Sequence, residues 1–153
     1  MIWFLRHGDA ADGGDDFARP LTEKGKRQSA VAGNALAALG VTIDVCLTSP
    51  RVRAVETARL ACDPLGLEPE IASELSGGDF DPEVLAAGRG EVLLVGHEPD
   101  FSRAVHDLTG ARVEMKKGGL AGVDGATLTT LLRPAQIRRL TGLIGRSGVG
   151  QAG

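Results

Sequence analysis

The stretch Ile2-Trp3-Phe4-Leu5-Arg6-His7-Gly8-Asp9 decides the fold class. Four consecutive apolar residues, rich in β-formers and bounded by Gly8, read as a strand buried on both faces. Strands of that kind sit in the middle of parallel sheets, with helices covering both sides. In open α/β sheets a ligand binds beyond the carboxyl ends of the strands. Arg6 and His7 fall at that end. Arginine offers a planar fork of donors to an oxyanion. Histidine offers a nucleophile or base usable near neutral pH. Gly8 lets the backbone turn and a ligand come close.

Two later junctions repeat this arrangement. Residues 43–48 read as a second strand and run directly into Ser49-Pro50, with Ser49 as the expected helix N-cap and Pro50 as the first helical residue. The helix is expected over 50–62, with Val52, Val55, Ala58 and Cys62 on its buried face. Arg53 lies in its first turn. Helical side chains tilt toward the N-terminus, so Arg53 reaches back over the strand end. Residues 91–95 read as another buried strand that meets Gly96-His97-Glu98-Pro99, and a helix is expected over about 99–109, closed by Gly110.

The connecting segments follow ordinary signals. Residues 9–19 form a loop, and Thr22 caps a helix running to Leu39, with Val31, Ala35, Leu36 and Leu39 toward the core. Gly25 in that helix costs about 1 kcal/mol relative to alanine, which points to close packing there. Residues 68–71 read as a short strand and 72–81 as a loop carrying acids. Asp81-Pro82-Glu83 opens a helix to about Arg89. Residues 120–123 and 126–132 flank Asp124-Gly125, a two-residue hairpin turn, and 134–140 read as a short helix. One domain is expected over 1–141, followed by a Gly-rich, disordered tail at 142–153.

The whole chain is 153 residues with a formal net charge of −3. That length suits one domain with a normal core, and that charge argues against nucleic acid as the main partner. No apolar run is long enough to span a membrane, and no signal peptide is read at the N-terminus, so a cytoplasmic location is expected. Cys46 and Cys62 lie in apolar segments and read as buried free thiols. No Cys/His/Asp spacing suggests a metal site, and no cofactor is expected. A dinucleotide fold is disfavoured, because no Gly-x-Gly-x-x-Gly follows the first strand.

Arg6, His7, Arg53 and His97 thus meet at one sheet edge. Each alone reads as structural; together they form a pocket for a tetrahedral dianion. Leu5-Arg6-His7-Gly8, Thr48-Ser49-Pro50-Arg51-Val52-Arg53-Ala54-Val55-Glu56-Thr57-Ala58 and Val95-Gly96-His97-Glu98-Pro99 resemble three signatures of the histidine phosphatase superfamily. Arg-Pro-Leu-Thr-Glu-Lys-Gly at 19–25 resembles a fourth. Arg-His-Gly-Asp-Ala at the start and Glu-Leu-Ser-Gly-Gly-Asp at 74–79 are most similar to the SixA-like phosphohistidine phosphatase branch.

The resemblance implies an α/β, three-layer sandwich with a mostly parallel central sheet flanked by helices, the phosphoglycerate mutase-like fold. It implies that His7 attacks phosphorus, while Arg6, Arg53 and His97 hold the phosphoryl oxygens and Arg19 lines the pocket. Larger members carry a glutamate general acid in an inserted segment. Here that segment is short, leaving Glu74, Asp79 and Asp9 as candidate proton donors. His106 reads as structural. The expected activity is a metal-independent phosphatase acting on phosphohistidine in a protein. The alternatives are a phosphatase for a small phosphorylated metabolite and a catalytically silent phosphate-binding domain. A mutase is disfavoured, since no large cap is present to keep water out.

Overall fold

The apolar run after Met1 forms β1 (Ile2–Arg6), and it is central. It pairs in parallel with β4 (Val92–Gly96) and antiparallel with β5 (Leu120–Asp124). β2 (Val45–Thr48) and β3 (Glu70–Ile71) extend the parallel side, and β6 (Thr127–Leu132) closes the other edge. The six strands run in the order β3-β2-β4-β1-β5-β6. The sheet is therefore mostly parallel, with an antiparallel hairpin at one edge. The computed structural model describes the backbone of residues 1–152 and the side chains of residues 1–143. The helix expected over 134–140 runs on to Ala152, through most of the tail expected at 142–153, of which only the backbone is described beyond 143. Among the described residues no helix is long and apolar enough to cross a membrane.

Five helices cover the sheet: α1 (Glu23–Ala38), α2 (Val52–Cys62), α3 (Pro82–Ala86), α4 (Asp100–Thr109) and α5 (Pro134–Ala152). Side chains alternate along each strand, so β1 feeds two cores. Trp3 and Leu5 join Leu36, Cys46, Leu93, Val95 and Ile137 on the face under α1, α2 and α5. Phe4 joins Leu47, Leu94, Phe101 and Val105 on the face under α4. Full burial of each Leu or Phe contributes about 1.5–3 kcal/mol. Both cysteines are buried free thiols.

Several local expectations need correction. Leu39 is exposed rather than core, because α1 ends one residue earlier and Gly40 turns the chain with φ 70°. On α1 the buried face instead carries Gly25, Ser29, Ala32, Gly33, Ala35 and Leu36. Small residues there permit close approach: a Cβ on Gly33 would stand 2.2 Å from the Ala61 carbonyl oxygen of α2. α2 begins at Val52, not Pro50, and its buried face is Arg53, Ala54, Thr57, Ala58, Ala61 and Cys62; Val52 and Val55 are only partly covered. α3 stops at Ala86, short of Arg89. In the hairpin Asp124 pairs with Thr127, so the turn is Gly125-Ala126, one residue later than expected.

Candidate active site

Parallel pairing of β1, β2 and β4 brings three strand ends to one edge. His7 N–H donates to Gly96 O at 3.0 Å, and Ser49 N–H donates to Val95 O at 3.0 Å. His7, Arg53 and His97 are all buried, and the His7 and His97 rings lie 5.2 Å apart between centroids. These three residues and Arg6 therefore meet as the sequence suggests.

The tautomer of His7 follows from its neighbour. Its Nδ1 is 2.7 Å from Gly8 O, and a carbonyl can only accept, so Nδ1 carries the proton. The lone pair is left on Nε2. Burial is the main cause of a pKa lowered to about 4, with Arg53, Arg6 and Lys117 adding to it and the Gly8 hydrogen bond opposing it. The ring is neutral near pH 7.

His97 is set by Ser49. Its Nε2 is 2.8 Å from Ser49 Oγ, which also accepts from Arg51 N–H at 3.2 Å. Ser49 Oγ already accepts from Arg51 N–H, so its own proton is assigned to Nε2. The His97 proton then sits on Nδ1. Burial, followed by His7 and Arg53, lowers this pKa to about 3. Ser49 was expected only as a helix cap; the structure makes it the partner of His97.

The arginines are held from behind. Arg6 Nη1 donates to Met115 O at 2.9 Å. Arg53 Nη1 donates to the backbone oxygen of Asp16 at 2.8 Å. Asp16 lies in a one-turn 3-10 helix (Asp16–Ala18), and its carboxylate also meets Arg51 at 2.6 Å and Arg19 at 3.1 Å. Arg19 is therefore tied to the cluster through Asp16. Three guanidinium groups, Arg19, Arg51 and Arg53, share the single Asp16 carboxylate, so positive charge is in excess there, a field suited to a dianion. Among the described residues, four buried side-chain nitrogens lack a partner, and three are Arg6 Nε, Arg53 Nε and His97 Nδ1. Buried donors are rarely left orphaned, so this clustering marks where a ligand's oxygens would bind.

Packing locks the loop after β1. Gly8 N–H donates to Thr57 Oγ1 at 3.0 Å, and the Thr57 hydroxyl donates to Arg53 O at 2.7 Å. Gly8 and Gly25 touch backbone to backbone, since a Cβ on Gly8 would stand 2.5 Å from Gly25 O. This is the close packing expected at Gly25.

The three candidate proton donors are not gathered in. Asp79 is exposed and paired with Arg103 at 2.7 Å. Glu74 is exposed in a 3-10 turn (Ser73–Ser76). Asp9 accepts from Thr22 Oγ1 at 2.8 Å and meets Lys117 at 3.3 Å. The Thr22 hydrogen bond, with Lys117, holds its pKa below the ordinary carboxylate value, so it is ionised near neutral pH. Glu98, beside His97, is occupied by the backbone N–H and hydroxyl of Ser102. His106 is exposed on α4, with Nδ1 3.3 Å from Ala111 O, as a structural residue would be. Among the described residues, no group of three or more His, Cys, Asp or Glu side chains is placed to hold a metal ion.

Known proteins carry the same fold and pattern. The model of the histidine phosphatase superfamily (branch 1) matches residues 2–83. The chain is 34% identical over 137 residues to an uncharacterised protein of Picosynechococcus, covering 80% of this chain and 83% of the relative. It is 34% identical over 118 residues to phosphohistidine phosphatase SixA of Escherichia coli, covering 71% of this chain and 73% of the relative. The solved structure of protein histidine phosphatase SixA complexed with tungstate aligns with a TM-score of 0.76 at 28% identity, over 88% of this chain and 97% of that one. The chain belongs to the histidine phosphatase superfamily. Within it, the likeness runs to the SixA phosphohistidine phosphatases, which supports phosphatase activity.

Proposed function

We propose that the protein removes phosphoryl groups from phosphohistidine on a protein, through a phosphohistidine formed on His7. The observation that carries this reading is the absence, among the described residues, of a carboxyl poised to donate a proton beside a neutral, tautomer-locked His7. In the first step His7 Nε2 attacks phosphorus while the P–N bond of the substrate breaks. The substrate ring, protonated from solvent on its other nitrogen, departs as neutral imidazole. In the second step water attacks phosphorus, its proton passes to solvent, the bond to His7 Nε2 breaks, and inorganic phosphate leaves with His7 neutral again. Arg6, Arg53 and the Nδ1–H of His97 hold the phosphoryl oxygens as charge builds on them, the usual main source of rate in such transfers. Arg19 and Arg51 supply charge from behind Asp16.

An alkoxide is a poor leaving group, and a placed general acid contributes about 10²–10⁴-fold to its expulsion. Imidazole titrates near neutrality and needs no such acid. The test compares kcat/KM for phosphoramidate or a phosphohistidine protein with that for a phosphosugar, in wild type, Glu74→Gln and Asp79→Asn. The P–N substrate is expected to win and to be insensitive to either substitution. A faster phosphosugar, abolished by one acid variant, would replace this reading with the small-metabolite one. The proposed chemistry uses no metal: activity is expected to survive exhaustive chelation, and a loss restored by one divalent ion would overturn that part.

A further inference from the structure

Away from the phosphoryl site, a cavity of about 550 Å³ opens between α1 and α5. Its lining is apolar at Ala30, Val31, Pro134 and Ala135 and carries the exposed cations Lys24, Arg27 and Arg138. No acid lines it. None of these three cations is in a salt bridge among the described residues, whereas Arg51, Arg103 and Lys117 around the phosphoryl site each have a carboxylate partner. The imbalance extends along the chain: residues 125–153 contain four arginines and no Asp or Glu, in a protein of net charge −3. Excess positive charge beside an apolar lining selects a ligand with one anionic group and an apolar body. The volume falls in the ~300–1,000 Å³ range of small-molecule sites.

We infer that the α1/α5 cavity is a second binding site, taking a small amphipathic organic anion whose sulfonate, carboxylate or phosphate meets Lys24, Arg27 and Arg138 while its apolar body lies on Val31 and Pro134. The site borders the catalytic loop. Gln28 lines the cavity, and its Oε1 accepts from Asp9 N–H at 2.9 Å, two residues after His7. The inference is independent of the phosphatase reading, because its readout needs no turnover.

The probe is 1-anilinonaphthalene-8-sulfonate, titrated calorimetrically into the full chain, with backbone amides followed by NMR. One saturable site is expected, with shifts centred on Ala30, Val31 and Ala135 and weaker binding at high salt. Inorganic phosphate, at matched ionic strength, should not displace the probe. Arg27→Gln/Arg138→Gln should weaken binding by about tenfold, since exposed charge contacts are individually modest. Arg27→Glu/Arg138→Glu should weaken it further, with circular dichroism unchanged. Absence of saturable binding, displacement by phosphate, or undiminished affinity in both double variants would overturn the inference. So would an acidic peptide shifting the same amides when the sulfonate does not.

Discussion

Gly25→Ala tests whether the catalytic loop is positioned by contact with α1. An ideal Cβ at Gly25 would lie 2.0 Å from Asp9 O and 2.8 Å from Asp9 N. Ordinary contact begins near 3.4 Å, so relief requires the backbone after His7 to move by more than an ångström. Overpacking of this kind costs about 1–3 kcal/mol. Alanine in a helix returns about 1 kcal/mol of that. Both atoms met are backbone, so no rotamer change relieves the contact and the net loss of stability lies at the upper end, about 2 kcal/mol. The loss of activity is larger, because misplacing a reacting group by 1 Å costs about 10²-fold. The assay pairs thermal melting with kcat/KM on phosphoramidate. Gly142→Ala is the control: it lies in α5 with nothing within 4 Å of its Cβ position, and neither quantity should fall. Full kcat/KM in Gly25→Ala would refute the idea that this contact sets the position of His7.

Two further outcomes are expected. Ser49→Ala removes the hydroxyl that holds His97 Nε2, so kcat should fall by up to about 10²-fold with little change in KM, and ring ¹⁵N shifts should show His97 losing its single Nδ1–H tautomer; an unchanged tautomer would contradict the assignment. Both buried histidines refuse protons that the unfolded chain accepts near 6.5: His7 until about pH 4 and His97 until about pH 3. The unfolded state binds more protons across that window, so stability is full above pH 6.5 and declines as pH falls toward 4, by about 1.4 kcal/mol per pH unit for each histidine at most. Melting temperature should drop accordingly in wild type and much less in His7→Asn/His97→Asn. A flat wild-type profile from pH 6.5 to 4 would show that these rings are not buried neutral.

What could be read from residue order was what depends on neighbours in the chain. The β1 run, Thr22 before α1, Asp81 before α3 and Gly110 after α4 are local signals, and each matches an element or cap. Arg6, His7 and His97 were legible because each sits at the end of an apolar strand, and Arg53 because it lies in the first turn of the helix that follows one. The supporting residues were not, since their partners are distant in sequence. Thr57 meets Gly8 across 49 positions, Ser49 meets His97 across 48, and Asp16 meets Arg53 across 37. Asp16 sat in a polar loop with no periodicity to mark it. Ser49-Pro50 gave an ordinary helix-start signal, and the buried His97 took the hydroxyl into its own hydrogen bonding. Helix faces were misjudged where small residues won: α1 and α2 meet through Gly33 and alanines, so the larger Leu39, Val52 and Val55 were left outside the core.

The central claim is that His7 carries the phosphoryl group between substrate and water. It is tested most directly by mixing the enzyme with ³²P-phosphoramidate, quenching in alkali and mapping the labelled peptide. Acid-labile, alkali-stable phosphate is expected on His7 in wild type, and neither label nor turnover in a folded His7→Ala protein. Label on a different residue, or near-normal turnover in His7→Ala, would contradict it.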